Sequence, residues 1–325
     1  MLKKIIILSI CFCLIISLSS CGTSQSSDSP DTADDKIKIV ATIFPIYDWV
    51  NEIAGEYADV ELLLSNGVDL HSYQPSVDDI ISISDSDVFI YVGGASDSWV
   101  EDVISHSAKD DLVSISIFDL LGTRVKEEEL MPGMQEEAEE HNDNTGTDYD
   151  EHVWLSLKNA DIVCKEICSK LCSIDPKNSK QYQENFENYS ARIKEMDNKF
   201  SSAIRSARYD TVLFGDRFPF RYLTDDYGIK YYAAFAGCSA ESEASFETII
   251  FLANKVDELS LPAIVKIETS DGSVAETIRN NTSSRDQKII EMNSMQSCTK
   301  EDLENGISYL QIMDNNLAAL LEALS

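Results

Sequence analysis

Two histidines, each in a short segment with carboxylate and aromatic neighbours, are the residues of this chain best suited to chemistry. His71 lies in the segment DLHSYQP (69–75), and His152 lies in the segment DEHVWLS (150–156). An imidazole that binds a metal usually donates its other ring N–H to a carboxylate or a carbonyl, so a nearby acid favours a ligand role. A lone histidine is more often structural, but two in such settings predict a divalent-metal site.

The other histidines and the absence of known catalytic motifs favour a binding protein over an enzyme. The other two of the four histidines, His106 and His141, lack such a setting, and we interpret them as surface residues. The chain has no Gly-x-Ser-x-Gly, no phosphate-binding loop and no His-Glu-x-x-His motif. A zinc hydrolase that uses Glu151 as its general base is the disfavoured enzyme alternative.

The elements that must position these histidines alternate between strand and helix in the first half of the chain. We predict strands at 37–44, 60–64 and 88–92, and helices at 46–54 and 77–84. Such βαβ units build a parallel sheet covered by helices on both faces. Ligands of these sheets bind beyond the carboxyl ends of the strands, where we expect the loops 66–74 and 93–97.

A long polar helix follows, and a second α/β segment comes after it. From Asp175 to Ala207 the apolar residues recur every three or four positions, at Tyr182, Phe186, Tyr189, Ile193, Met196 and Phe200. Further strands are predicted at 211–214 and 263–267, and helices at 246–259, 273–279 and 303–324. The fold class is therefore α/β, with two lobes of parallel-type sheets flanked by helices and joined by one long spine helix.

These elements divide the chain into a first lobe (37–174), a linking helix (175–207) and a second lobe (208–325). The first lobe contains an insertion, 126–151, that is dense in Asp and Glu. So many like charges repel one another, so we predict a mobile acidic loop that attracts cations loosely or only keeps the protein soluble.

The N-terminus predicts export. A basic start, a short apolar run and small residues before Cys21 are typical of a secretory signal peptide (1–21). The end of this segment resembles the lipobox of bacterial lipoproteins, which implies that Cys21 receives a lipid. Residues 22–36 have no aromatic or branched aliphatic side chain, so we predict a disordered tether. The protein is then extracytoplasmic and anchored to the outer face of the cell membrane. An ordinary signal peptide with an incidental cysteine is the alternative.

Charge and cysteine content narrow the choice of partners. The net charge of −31 argues against a nucleic-acid partner, because phosphates are bound by clustered Lys and Arg. Among the eight cysteines, three recur at helical spacing, Cys164, Cys168 and Cys172, and we favour a buried helix face over a zinc site for them. Cys238 and Cys298 are candidates for a disulfide in an exported protein.

The two histidine segments resemble those of the zinc/manganese-binding solute-binding proteins of bacterial ABC importers, whose loops are of the Asp-Pro-His-x-Tyr-Glu-Pro and Asp-Pro-His-Val-Trp-Leu types. The likeness extends from Ile37 to Leu324. It includes Ile43-Phe44-Pro45, Tyr227-Gly228-Ile229, Gly237 with Ser239-Ala240-Glu241-Ser242-Glu243, Glu268, Tyr309 and Asn315. The resemblance implies a monomeric receptor that binds a divalent metal, zinc favoured over manganese, and delivers it to an ABC transporter permease. A metal-binding surface adhesin is the alternative.

The chain departs from this family pattern at the third ligand. The family has His or Glu where this sequence has Arg217, and a guanidinium cannot ligate a metal. We expect Asp216 to substitute, followed by Glu268 and by Asn293, which falls in register with the fourth family ligand. Arg217 would then pair with Glu241 or Glu243. The other interpretation is that the site is weak or altered.

Overall fold

A computed structural model of the chain describes residues 36–107, 109, 111–135, 149–239 and 243–325. The first sheet consists of β1 (Ile37–Ala41), β2 (Ala58–Leu62), β3 (Val88–Tyr91) and β4 (Val113–Ser116). The second consists of β5 (Thr211–Phe218), β6 (Lys230–Ala236), β7 (Ala263–Ile267) and β8 (Lys288–Met292). All pairings are parallel, in the orders β2-β1-β3-β4 and β6-β5-β7-β8.

Helices flank both sheets. Those of the first lobe are α1 (Phe44–Ala54), α2 (Val77–Asp85), α3 (Val100–Ser105), α4 (Ile117–Leu121) and α5 (Leu157–Ile174). The connecting helix is α6 (Ser179–Ile204). Those of the second lobe are α7 (Arg221–Tyr227), α8 (Phe246–Leu259), α9 (Ser273–Asn281), α10 (Lys300–Glu304) and α11 (Tyr309–Ala323). The predicted fold class, two lobes of parallel sheets joined by one long helix, is confirmed.

The long helix α6 forms because one of its faces is apolar. Tyr182, Tyr189, Ile193 and Phe200 on that face are buried, and they belong to the hydrophobic core that also contains residues of both sheets. Its 26 residues correspond to a length of about 39 Å. Helix α6 packs against α5 and α1 of the first lobe, and its end leads the chain to β5.

The cysteine stripe on α5 is a packed helix face. Cys164 and Cys168 are buried in the core, Cys172 is half-buried against it, and all three are free thiols. The preferred interpretation of this stripe is confirmed.

Several elements differ from the sequence prediction. The strands β4, β6 and β8 and the short helices α3, α4 and α7 were not predicted. The helix predicted at 303–324 is two helices, because Gly306 adopts φ +70° between α10 and α11. Strand β5 is longer than expected and contains a register irregularity between Phe214 and Arg217.

The first part of the acidic loop is packed, contrary to prediction. The backbone N–H of Lys126 donates to Tyr222, and that of Gln135 donates to the carbonyl of Ala234 in β6. Met131 and Met134 pack against the core. Backbone hydrogen bonds and these two apolar side chains hold this stretch against the second lobe despite its charge.

Other predictions fall on residues that the structure does not describe. These are Cys21 and the tether, His141, the remainder of the acidic loop (136–148) and Glu241. Within the described ranges, no helix is both long enough and apolar enough to cross a membrane.

Candidate metal centre

The two predicted histidines meet in a cleft between the sheets. Each lies in a loop outside the carboxyl ends of the first sheet's strands, in or beside a short 3-10 turn: His71 in Leu70–Ser72 and His152 just before Val153–Leu155. Their Nε2 atoms are 3.2 Å apart. The ring of His152 is fully buried, and the side chain of His71 is 11% exposed. The separation of the two nitrogens suits two ligands of one metal ion, which lie about 3.3 Å apart in a tetrahedral zinc site.

Local hydrogen bonds fix the His152 imidazole. The buried carboxylate of Asp150 accepts from the backbone N–H of His152 and from its ring Nδ1, both at 2.9 Å. Because a carboxylate accepts the proton of Nδ1, the lone pair of the neutral ring is on Nε2, which faces His71. The buried side chains that follow, Val153, Trp154 and Leu155, anchor the turn in the core.

A matching arrangement holds His71. Its Nδ1 lies 2.9 Å from the Ser96 hydroxyl and 3.5 Å from Oε2 of Glu151. The other oxygen of Glu151 accepts from the backbone N–H of Ser96 at 2.8 Å. A side chain on Gly94 would collide with this carboxylate, because a Cβ there would lie 2.2 Å from Glu151 Oε1. Because Gly94 has no side chain, the Glu151 carboxylate fits behind the imidazole of His71.

The environment of His71 favours its neutral form. Burial, followed by the proximity of His152, lowers the pKa of His71 to about 3. A metal ligand must be the neutral imidazole, so this environment favours the binding form.

Two residues of the second lobe approach the histidine pair, and the sequence analysis assigned neither as a ligand. The Sγ atom of Cys238 and one ring nitrogen of each histidine lie within 4.8 Å of one another. The side-chain amide of Gln296 contacts the Nε2 atoms of both His71 and His152, the former at 3.1 Å. Within the described part of the chain, His71, His152 and Cys238 form the one cluster of at least three His, Cys, Asp or Glu residues that could hold a metal.

The expected disulfide is not formed, because Cys238 and Cys298 are both free thiols. Burial, followed by the negative charges of Glu128, Asp150 and Glu151, raises the pKa of the Cys238 thiol. In the sequence, Gly237 and Cys238 follow an apolar run, but only the strand order of the second sheet places the end of that run beside His152.

The three second-lobe residues expected as ligands have other partners. Asp216 lines the cleft near His71, but its oxygens accept from the backbone N–H groups of Arg217 (2.8 Å) and Ile267 (3.3 Å). Glu268 accepts from the backbone and the hydroxyl of Ser294, both at 2.8 Å. The Oδ1 atom of Asn293 accepts from Met295 at 2.8 Å. Neither Asp216 nor Glu268 belongs to the cluster, and a ligand role for these three residues stays a prediction.

Arg217 forms an ion pair that joins the two lobes. Its guanidinium donates to Oδ2 of Asp69 at 2.8 Å, whereas Oδ1 of Asp69 accepts from the backbone N–H of His71. The expected pairing with Glu241 or Glu243 is therefore wrong for the described Glu243. Burial alone would raise the pKa of Asp69, but the charge and hydrogen bond of Arg217 bring it below its usual value.

The cleft has a volume of about 620 Å³ and is lined by residues of both lobes, among them Asp69, His71, Asp216 and Arg217. This cleft lies between the two sheets of a two-lobed α/β protein, and the side chains that line it are mostly polar.

Comparison with known proteins gives the family. A family model described as "Zinc-uptake complex component A periplasmic" matches residues 39–323. The chain belongs to this family, and the resemblance inferred from the two histidine segments is confirmed.

Two curated relatives illustrate the similarity. The chain is 28% identical over 330 residues to the high-affinity zinc uptake system protein ZnuA of Bacillus subtilis, with 100% of this chain and 99% of the relative covered. It is 28% identical over 323 residues to the zinc-binding lipoprotein AdcA of Streptococcus pneumoniae, with 98% of this chain but only 60% of the relative covered.

Solved structures have the same architecture. The Zn(II)-bound ZnuA-like domain of Streptococcus pneumoniae AdcA superposes with a TM-score of 0.70 at 26% identity, with 89% of this chain and 99% of that chain covered. The metal-dependent lipoprotein YcdH of Bacillus subtilis superposes with a TM-score of 0.72 at 26% identity, with 89% and 99% covered.

Proposed function

We propose that this protein is an extracytoplasmic receptor that binds zinc through His71 and His152 and delivers it to the permease of an ABC importer. The observation that carries the proposal is the 3.2 Å approach of two Nε2 atoms whose rings are held from behind by acidic residues. Family membership and the zinc-binding relatives support the choice of cargo. The predicted lipid on Cys21 would keep the receptor near its permease.

Zinc titration of the full-length protein tests the binding step. His71→Ala and His152→Ala should each weaken zinc by about a hundredfold or more, equivalent to about 2.7 kcal/mol. His106→Ala is the matched control, because His106 is exposed and lies outside the cluster, and it should bind like the parent. Unchanged zinc affinity in both cleft variants would contradict the proposal.

Delivery is tested with the importer. Zinc-loaded receptor should stimulate ATP hydrolysis by a reconstituted zinc ABC importer from the same organism, whereas His152→Ala at the same zinc concentration should not. The same zinc-loaded protein is expected to leave ester, phosphoester and peptide substrates intact, and turnover of any of them would favour the hydrolase alternative.

A further inference from the structure

The second lobe places a possible donor atom beside the histidines from a strand other than the one expected. Arg217 on β5 is turned to Asp69, and the neighbouring Asp216 carboxylate accepts two backbone N–H groups. The next strand in the sheet, β6, ends at Ala236, and Cys238 follows it beside His71 and His152. The thiol thus approaches the two imidazoles of the first lobe from the opposite lobe.

The backbone beside Cys238 is shaped for this approach. A Cβ on Gly237 would lie 2.9 Å from the carbonyl of Phe218 and 3.0 Å from Cε1 of His152. Only glycine lets the strand end come so close to the ring without displacing it. The backbone N–H of Cys238 donates to Glu128 at 3.1 Å, which fixes the residue from its other side.

We propose that the Cys238 thiolate is a metal ligand together with His71 and His152, and that this nitrogen–sulfur donor set makes the receptor selective for zinc and similarly soft dications over manganese. The inference rests on the proposed function and deepens it. In a tetrahedral zinc site the sulfur would lie about 3.6 Å from each nitrogen. In this structure the sulfur and one ring nitrogen of each histidine already lie within 4.8 Å of one another.

The selectivity follows from donor chemistry. Thiolate and imidazole suit zinc, whereas manganese prefers carboxylate, carbonyl and water oxygens. The buried acids Asp150 and Glu151 offset the charge of the dication without entering the cluster themselves. Binding transfers the thiol proton to solvent and forms one metal–sulfur bond, so no oxidant or reductant is needed.

Cobalt loading of the full-length protein tests the sulfur ligand directly. The parent should show a near-ultraviolet thiolate-to-cobalt charge-transfer band, Cys238→Ser should lose it, and Cys298→Ser should retain it. Cys298 is a suitable control because it is also a free thiol and is buried outside the cluster. A parent protein that binds zinc tightly but shows no such band would overturn the proposal.

Affinity gives the second readout. Cys238→Ser should weaken zinc by about tenfold or more, since even residues that only support a ligand change affinity by about that much. Manganese affinity should change little. Cys238→Asp guards against a folding defect. It replaces the thiolate by a carboxylate oxygen, which manganese prefers, so it should shift the zinc-to-manganese preference toward manganese.

The outcomes separate this inference from the proposed function. If Cys238→Ser and Cys238→Asp bind both metals like the parent while His71→Ala loses zinc, Cys238 is not a ligand and the receptor proposal survives. If the parent itself binds no zinc, the proposed function fails.

Discussion

At the scale of single residues, the site depends on which atom of each side chain is already engaged. Asp150 holds Nδ1 of His152, and Glu151 lies behind His71 with one oxygen accepting no hydrogen bond from the described residues. Both Nε2 atoms therefore point toward the same place. The side-chain amide of Gln296 lies against both of these atoms and carries an oxygen as well as an NH2 group. With its oxygen turned inward, Gln296 is an additional neutral donor.

Gln296 should tune the affinity for divalent cations. Gln296→Glu adds a negative charge facing both imidazoles at nearly constant volume, so zinc should bind more tightly, by about tenfold or about 1.4 kcal/mol. Gln296→Leu removes the donor and should weaken zinc. Competition with a chelator of known affinity measures both, with Gln135→Glu as a control at a half-buried position outside the cluster. Equal affinities for Glu and Leu at this position would show that residue 296 does not reach the metal.

At the scale of elements, the second lobe approaches the first through the ends of its strands. Arg217 at the end of β5 binds Asp69, which in turn caps the turn that carries His71. The indole of Trp154 donates to the carbonyl of Ser294, beyond β8, at 2.9 Å. These contacts hold the turns of His71 and His152 against the opposite lobe. Arg217, at the position where the family pattern has His or Glu, therefore joins the two lobes.

Breaking the Arg217–Asp69 ion pair should weaken zinc binding. Arg217→Gln and Asp69→Asn remove the ion pair, and the Asn variant keeps the Oδ1 atom that caps His71. A double-mutant cycle on zinc affinity should give a coupling free energy of about 1 kcal/mol, because the pair is largely shielded from water. The control cycle uses Lys230 and Asp210, an exposed pair at the amino ends of β5 and β6. If the two substitutions change the free energy of zinc binding additively, the Arg217–Asp69 ion pair does not support the metal site.

The strongly patterned elements were predictable, and the contacts between lobes were not. The spacing of Tyr182 to Phe200 predicted α6, and the segments around His71 and His152 predicted the half of the site that comes from the first lobe. Short strands such as β4, with sequence VSIS, have too few apolar residues for a pattern to indicate them. The sequence suggested a disulfide for Cys238, because it does not show that β6 ends next to His152. The order of strands in the second sheet determines that position.

At the scale of the whole molecule, one half-buried carboxylate links three helices. Oδ2 of Asp48, on α1, accepts from the Tyr189 hydroxyl of α6 and from the backbone N–H of Tyr309 at the start of α11, both at 3.2 Å. Burial raises the pKa of Asp48 from 3.8 to about 6, although the hydrogen bond from Tyr309 opposes the shift. The helices of both lobes therefore share a group that is more easily charged in the unfolded chain than in the folded protein.

This group should make stability fall with rising pH. Because the folded-state pKa is the higher one, the folded protein holds more protons between pH 4 and 6, and the free energy of unfolding decreases as pH rises through that window. Asp48→Asn stays neutral, and its amide oxygen can accept both bonds. Its stability relative to the parent should therefore increase by about 1 to 3 kcal/mol between pH 4 and pH 7. Urea unfolding of the metal-free protein at several pH values measures the difference.

Glu56→Gln, which removes an exposed carboxylate beyond the end of α1, should show no such trend. A parallel pH profile for Asp48→Asn and the parent would mean that Asp48 stays ionised in the fold, with its charge neutralised by the surrounding dipoles.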